Sequence, residues 1–324
     1  MALHRPDASD VHVDALLTQI SIAYWNAAYI ADQIFPLIPV DKQSDIVPKY
    51  EKSHWFRDEA MPWATGTDLH TGGWTVDNTV KYFCDGFDYG KDIPDGVRFN
   101  ADGAYADIDR TATEFVTDKL MMKRERAWVA DFWKTGVWGT DVTGTTSFTK
   151  WSDYGGSDPF VDIKQTGRRT IRRGIGGRNP NVLVLGDLTR DVLLDHPDIV
   201  DRIKYTSPGF ADEALLARAF GVDRVLVGES VYTADEPGTA EASVTYTPNW
   251  DDDALLLYVT NAPALLAPSA GYTFYWRPLT GGGAQYIRRL RDDKVMKDTI
   301  HGLTFFDQKV LATEAGYFFS DAVD

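Results

Sequence analysis

The longest helical pattern of hydrophobic positions lies between residues 107 and 133. Apolar side chains recur there every three or four residues, which is typical of one buried face of an α-helix. They are Ile108, Ala112, Phe115, Val116, Leu120, Trp128 and Phe132. The pattern predicts a helix of about 25 residues, on the order of 40 Å long at ~1.5 Å per residue. Its charged middle (Lys119, Lys123, Arg124, Glu125 and Arg126) is expected to form a solvated face.

Two less regular segments precede this helix. Residues 11–35 carry the apolar pattern of a helical arm, which ends at the prolines that follow. Residues 44–83, called the ribbon below, place short extended stretches around a turn-rich centre and so predict a long, irregular β-hairpin. Its centre carries four aromatic residues that no second layer is predicted to bury, namely Trp55, Phe56, Trp63 and Trp74.

The ribbon is predicted to need a partner surface. An isolated two-stranded ribbon is marginally stable in water, and exposed aromatic patches usually mark contacts. We therefore favour a contact with another subunit. The alternative is that the ribbon folds back onto the body of its own chain.

Helices and strands alternate in the second half of the chain, which is typical of an α/β unit. The predicted helices are residues 161–175, 187–194 and 212–220, and the predicted strands are residues 181–185, 224–227 and 254–260. A last segment alternates as strands do. Its predicted strands are residues 273–275, 285–290, 294–306 and 317–319.

A basic cluster interrupts the acidic trend at residues 164–178. It contains no acid and six cations, namely Lys164, Arg168, Arg169, Arg172, Arg173 and Arg178. On a helix these arginines share a side, and we call Arg168, Arg169, Arg172 and Arg173 the basic stripe. It could contact DNA, pair with carboxylates of a neighbouring subunit or be solvated. Pairing between subunits is favoured, because arginine suits bidentate contacts with carboxylates.

Composition excludes several classes of protein. With 33 basic and 48 acidic residues among 324, the chain has a net charge of −15 and lacks the basic character of a nucleic-acid binder. Its 10 Trp, 15 Tyr and 16 Phe supply more aromatic surface than a core usually requires, so some rings are expected to meet other subunits. The single cysteine, Cys84, excludes an internal disulfide and is expected to lie in the core.

Motifs of catalysis are not found in the sequence. The six histidines are not spaced to share a metal, the glycines of residues 174–177 lack the order of a dinucleotide-binding loop, and no phosphate-binding loop or nucleophile elbow occurs. Asp251, Asp252 and Asp253 are expected to form a solvated acidic turn rather than a cation site. We predict no catalytic residue, no cofactor, no metal, no signal peptide and no membrane span.

Ten stretches of the chain, in order, carry a resemblance to a known family. They are SIAY (21–24), YIAD (29–32), FPLIPVDKQSD (35–45), WFRDEA (55–60), DRTATEFVT (109–117), VWGT (137–140), PNVLVLG (180–186), HPDIVDRIKYT (196–206), FGV (220–222) and PSAGY (268–272). Together they resemble the major capsid proteins of tailed bacteriophages. None is a catalytic fingerprint, so the specificity lies in their number and order.

The resemblance implies an α+β fold of the Hong Kong 97 capsid type. Its expected parts are an N-terminal arm (1–43), an extended loop (44–85), a peripheral domain (86–164 and 273–324) with a long spine helix, and an axial domain (165–272). The extended loop would lie over an adjacent subunit. Predicted inter-subunit contacts are Trp55, Phe56, Arg57, Trp63, Trp74, Arg168, Arg169, Arg172 and Arg173.

The implied function is self-assembly into hexamers and pentamers that form an icosahedral head around double-stranded phage DNA. Implied partners are the chain itself, a separate scaffolding protein, a portal, a decoration protein in some heads, and packaged DNA bound without sequence specificity. The subunit would be assembled in the host cytoplasm and reside in the virion. An encapsulin-like shell around protein cargo is the alternative, and an α/β enzyme built on residues 165–272 has no support in the sequence.

One departure from the family concerns covalent cross-linking. Some members join neighbouring subunits by an isopeptide bond between a lysine near the loop tip and an asparagine. Residues 53–80 contain no lysine. Cross-linking at this place is therefore not expected.

Overall fold

The computed structural model describes residues 26, 29–101, 108–203, 212–260, 262, 268–279 and 283–324. Most of the arm predicted at residues 11–35, and the predicted start of the long helix at Asp107, lie outside these residues. Within them, the only helix of the arm region is the short segment Ala31–Ile34.

Eight α-helices and sixteen strands are present in the described ranges. The helices are α1 Ala31–Ile34, α2 Lys52–Trp55, α3 Asp95–Phe99, α4 Ile108–Phe132, α5 Arg168–Gly174, α6 Asp187–Asp195, α7 Pro197–Ile203 and α8 Glu213–Phe220. The strands are β1 Leu37–Val40, β2 Ser44–Ile46, β3 Lys49–Tyr50, β4 Val76–Asp77, β5 Lys81–Phe83, β6 Asp85–Pro94, β7 Thr140–Thr143, β8 Val182–Gly186, β9 Arg224–Gly228, β10 Val231–Tyr232, β11 Thr247–Pro248, β12 Ala254–Leu257, β13 Gly271–Trp276, β14 Tyr286–Asp292, β15 Lys297–Val310 and β16 Gly316–Ser320.

The first large sheet is organised around β15. This 14-residue strand pairs antiparallel with β6 along one edge, and with β14 and then β13 along the other. Parallel pairing of β1 with β13 completes the sheet. Buried and half-buried residues alternate along β15, as expected for a strand with one face on the core.

The second large sheet has the strand order β7-β16-β12-β8-β9. Every residue of β8 and β12 is buried, which is typical of central strands. The last strand of the chain, β16, joins this second sheet and not the first one. Tyr317, Phe318 and Phe319 form a continuous apolar run, and such a run suits an interior position in the second sheet better than a half-exposed one.

Helix α4 spans the two sheets, and its predicted length of about 25 residues is confirmed at 25. Its first half packs Ala112, Val116 and Leu120 against the first sheet. A Cβ added to Gly302 of β15 would lie 2.6 Å from Val116 Cγ1, so glycine lets the helix approach the sheet closely. The second half of α4 places Trp128 in the main core, 5.3 Å from the ring of Trp250.

The prediction that the charged residues in the middle of α4 form a solvated face is wrong for two of them. Arg124 and Glu125 are buried. Arg124 continues the four-residue spacing of Ala112, Val116 and Leu120, and that spacing places it on the buried face of the helix. Both charges have polar partners, described below.

The predicted helix over residues 161–175 is two helices. A π-helical segment, Phe160–Gly167, runs directly into α5. Cys84 is buried beside Tyr82, Tyr272 and Phe274, as expected, and burial raises the pKa of its thiol to about 12. No helix within the described ranges has the length and apolar character needed to cross a bilayer.

Candidate assembly surfaces

The predicted hairpin is present at the base of the ribbon. β2 pairs antiparallel with β5, and β3 pairs antiparallel with β4. Beyond these pairs the chain forms the helical turn α2, which the sequence did not predict. An irregular stretch with no strand follows, from residue 56 to residue 75. Backbone pairing therefore supports the base of the ribbon but not its tip.

The four aromatic side chains predicted at the centre of the ribbon are exposed. The exposed fractions are 48% for Trp55, 62% for Phe56, 61% for Trp63 and 65% for Trp74, whereas the core residue Trp128 is 0% exposed. The ring centroids of Trp55 and Trp74 lie 6.4 Å apart, so each ring covers only part of the other. Such a surface is costly for a protein that remains alone in water, and it is typical of a contact site.

The base of the ribbon is attached to its own subunit. Lys52 forms an ion pair of 2.9 Å with Glu314. The ring of Phe56 lies so close to Gly176 that a Cβ at that glycine would be 2.6 Å from Phe56 Cζ. The alternative prediction, folding back onto the same chain, therefore applies to the base, whereas Trp63 and Trp74 remain exposed.

The tip of the ribbon, residues 57–72, surrounds an open cavity of about 330 Å³. Glu59, Asp68, Trp63 and Leu69 are among the residues that line it. Arg57, the one arginine or lysine of the tip, donates to Glu59 at 3.4 Å. The cavity thus combines carboxylates with an aromatic ring and aliphatic surface, which is a suitable environment for a guanidinium group.

The basic stripe lies on the surface, as predicted. Arg169, Arg172 and Arg173 are exposed, and within the described residues none of the three has an ion-pair partner. Arg168 is half-buried and donates from Nε to Asn179 Oδ1 at 3.1 Å. The structure therefore brings the four arginines together on one surface but gives three of them no ion-pair partner among the described residues.

A depression of about 410 Å³ opens beside the stripe. Its lining consists of Phe160, Lys164, Gln165, Arg168, Arg169, Arg172 and Arg202. The guanidinium carbon of Arg202 lies 3.7 Å from the ring centroid of Phe160. Five cations and no carboxylate line this depression, so it favours an anionic partner.

A buried charged anchor between α4 and the arm was missed by the sequence analysis. Glu125 Oε2 accepts hydrogen bonds from the backbone N–H groups of Ile30 (3.0 Å) and Ala31 (2.8 Å). Its other oxygen accepts from Trp250 Nε1 at 2.8 Å. Burial raises the pKa of Glu125, while these donors favour the carboxylate and oppose the rise. The adjacent Arg124 forms an ion pair with Asp32 of α1, so two charges of α4 hold the place where the arm joins the body.

The acidic turn at residues 251–253 is only partly solvated. Asp251 is exposed, but Asp253 is half-buried and accepts the backbone N–H of Asp321 at 2.7 Å. Burial raises the pKa of Asp253 to about 7. Across the described ranges, no three His, Cys, Asp or Glu side chains are grouped in a way that would hold a metal.

Asp253 is expected to make stability depend on pH. Because its folded pKa of about 7 lies above the ordinary value, the native state binds more protons than the unfolded state between about pH 4 and 7, and stability falls as pH rises through that window. Asp253→Asn keeps an oxygen for the Asp321 N–H and should raise the free energy of unfolding by about 1–2 kcal/mol at pH 8, with little effect at pH 4. Urea unfolding of unassembled subunits at both pH values measures this. A loss of stability at pH 8 would contradict it.

Comparisons with known proteins place these surfaces in context. No family model matches the chain. Two curated relatives, both named major capsid protein, match it at 26% identity. The match to the protein of Burkholderia phage BcepMu covers 95% of this chain and 96% of the relative, and the match to that of Pseudomonas phage JBD67 covers 96% and 97%. The predicted resemblance to tailed-phage major capsid proteins is confirmed. Capsid relatives thus match this chain over nearly its whole length.

Solved structures show the same α+β capsid fold. A phage-related protein from Bordetella bronchiseptica superimposes with a TM-score of 0.70 at 20% identity, covering 96% of this chain and 97% of that one. The capsid protein of cyanophage P-SCSP1u gives a TM-score of 0.62 at 12% identity over 100% of both chains. An encapsulin from Synechococcus elongatus gives 0.55 at 10% identity, covering 97% and 96%. The fold is therefore shared by phage capsids and encapsulins, whereas the sequence relatives are phage capsid proteins.

Proposed function

We propose that this chain is the major capsid protein of a tailed phage and self-assembles into the hexamers and pentamers of an icosahedral head that encloses double-stranded DNA. The observation that carries the proposal is the match, over nearly the full length of both chains, to the BcepMu major capsid protein. The role is structural and not catalytic. Its site of action is the virion.

The parts of the Hong Kong 97 type fold are assigned to this chain as follows. The extended loop is residues 44–85 and contains the ribbon, and the spine helix is α4. The peripheral domain comprises residues 86–164 and 273–324, and the axial domain comprises residues 165–272. The connection of α4 to both sheets supports a spine role, since one rigid helix then links the two parts of the subunit. Residues 1–43 form the arm, which Glu125 and Arg124 hold at its junction with the body.

The physical reason for assembly is that the subunit carries apolar surface it does not bury. The ribbon has exposed tryptophans, and its tip lacks strand pairing. Burying such side chains in an interface removes apolar area from water at roughly 25 cal/mol per Å². Contacts of this kind between unlike surfaces can close into rings, as the hexamers and pentamers of a shell require. The inter-subunit contacts are assigned to Trp55, Phe56, Arg57, Trp63 and Trp74, and to the basic stripe.

Other components of the head are proposed from the same assignment. They are a separate scaffolding protein, a portal, a decoration protein in some heads, and DNA held without sequence-specific contacts. The net charge of −15 supports the last point, because an acidic protein does not attract a polyphosphate. Assembly takes place in the host cytoplasm.

Electron microscopy of the protein produced with the head genes of its phage tests the proposal. We expect closed shells that contain nuclease-protected double-stranded DNA. Shells filled with a protein cargo and free of DNA would favour the encapsulin-like alternative, which rests on the fold similarity alone. A subunit that stays monomeric when the scaffolding protein is present would overturn both.

A further inference from the structure

The tip of the ribbon and the basic depression have opposite charge. The tip, residues 57–72, contains Asp58, Glu59 and Asp68 but only one arginine or lysine, Arg57. Residues 164–178 contain six bases and no acid. Both surfaces belong to the same chain, so every copy offers one of each.

The chemistry of the two surfaces is also complementary. The tip encloses a cavity of about 330 Å³ lined by carboxylates and by Trp63, and the stripe presents arginines next to an open depression of about 410 Å³. Arginine binds carboxylates in a bidentate manner and stacks on aromatic faces. A protruding arginine can therefore use both kinds of group that line the tip.

Neither surface satisfies all its charges within the described part of one subunit. In the tip, Arg57 forms an ion pair with Glu59. Asp58 and Asp68 have no ion-pair partner in the described part of the chain. In the stripe, Arg169 and Arg172 also have none there. The base of the ribbon contacts its own subunit at Gly176, just beyond the end of α5. Even from this nearby attachment, the tip does not pair with the stripe of its own subunit.

We propose that the tip of the ribbon of one subunit docks on the basic stripe and depression of the next subunit in the ring. The inference rests on the proposed function and identifies which surfaces meet. Asp58 and Asp68 of the ribbon pair with Arg169 and Arg172 of the neighbouring copy, and Trp63 covers the stems of these arginines. Because the contact joins two different surfaces, each subunit uses one of each, and the ring closes without an unpaired member.

Reversing the charges on each side tests the docking. The stripe variant is Arg169→Glu with Arg172→Glu, and the ribbon variant is Asp58→Arg with Asp68→Arg. Each variant alone brings like charges together, and we expect the yield of sedimenting particles to fall by at least about tenfold. The combination of all four substitutions restores opposite charges and should return the yield to near that of the unmodified protein.

A matched control separates pairing from net charge. Arg218→Glu with Lys294→Glu makes the same change in net charge at two exposed bases outside the stripe. These residues have no ion-pair partner in the described ranges, and we expect normal particles. Circular dichroism shows whether each variant is folded.

Several results would overturn the docking while leaving the shell function intact. Normal particle yield for both single-sided variants would do so. So would an equal loss in the control, or a failure of the combined variant to recover. Normal yield with weaker retention of duplex DNA by stripe-reversed shells would assign the stripe to DNA instead. Absence of particles from the unmodified protein would be a failure of the proposed function itself.

Discussion

Replacing Trp63 and Trp74 together with alanine is expected to prevent particle formation while leaving the subunit folded. Both side chains are more than half exposed in the subunit, so the substitution removes little from its core. Aromatic residues buried at interfaces commonly cost 2 kcal/mol or more each when truncated to alanine. Losing two would weaken each contact by about 4 kcal/mol, on the order of a thousandfold. Sedimentation velocity measures the particles, and circular dichroism measures the fold.

Conservative variants at the same positions provide the control. Trp63→Phe with Trp74→Phe retains aromatic surface and should preserve most of the assembly. Tyr154→Ala with Leu188→Ala removes two exposed apolar side chains from outside the ribbon and should assemble normally. An alanine variant that assembles at the normal yield would show that the ribbon's aromatic residues do not hold the shell together. Unfolding of that variant would show that they support the subunit instead.

Removing the carboxylate of Glu125 is expected to destabilise the subunit strongly. Glu125→Ala leaves three N–H donors, on Ile30, Ala31 and Trp250, without their acceptor in a buried site. Breaking a buried charged network typically costs about 3–5 kcal/mol. The free energy of unfolding in urea, measured on unassembled subunits, should fall by that amount.

Two further variants define the origin of this effect. Glu125→Gln keeps an oxygen acceptor and the volume of the side chain, so its loss should be smaller. Glu114→Ala, on the same helix, removes an exposed carboxylate whose partner is Arg110, and should change stability by less than about 0.5 kcal/mol. A Glu125→Ala variant as stable as Glu114→Ala would contradict the role of the anchor.

Local patterns in the sequence predicted most of the regular elements. α4 was predicted from its three- and four-residue spacing, the base of the ribbon from its turn-rich centre, and the strands at residues 182–186 and 254–257 from short apolar runs. These features depend on neighbours close in sequence, and periodicity reports them directly. The basic stripe was predicted in the same way, from arginines that share one side of a helix.

Features set by distant contacts were not predicted. The pairing of β16 with β7 and β12 depends on residues more than fifty positions apart. The apolar run of β16 indicates a buried strand, but it does not identify the strands with which β16 pairs. The burial of Arg124 and Glu125 depends on Asp32 and on the backbone of Ile30 and Ala31, which lie about ninety residues away. One signal was available: Arg124 falls at the four-residue spacing of the buried face, where a charge requires a partner.

The central claim is that each copy of this chain buries the exposed surface of its ribbon against an adjacent copy. The most direct test is cryo-electron microscopy of assembled particles at a resolution that traces individual side chains. The claim predicts that residues 57–74 of each subunit lie against an adjacent subunit, with Trp63 and Trp74 buried in that contact. Particles in which the tip lies on its own subunit or remains in solvent, or a protein that stays monomeric at high concentration, would contradict it.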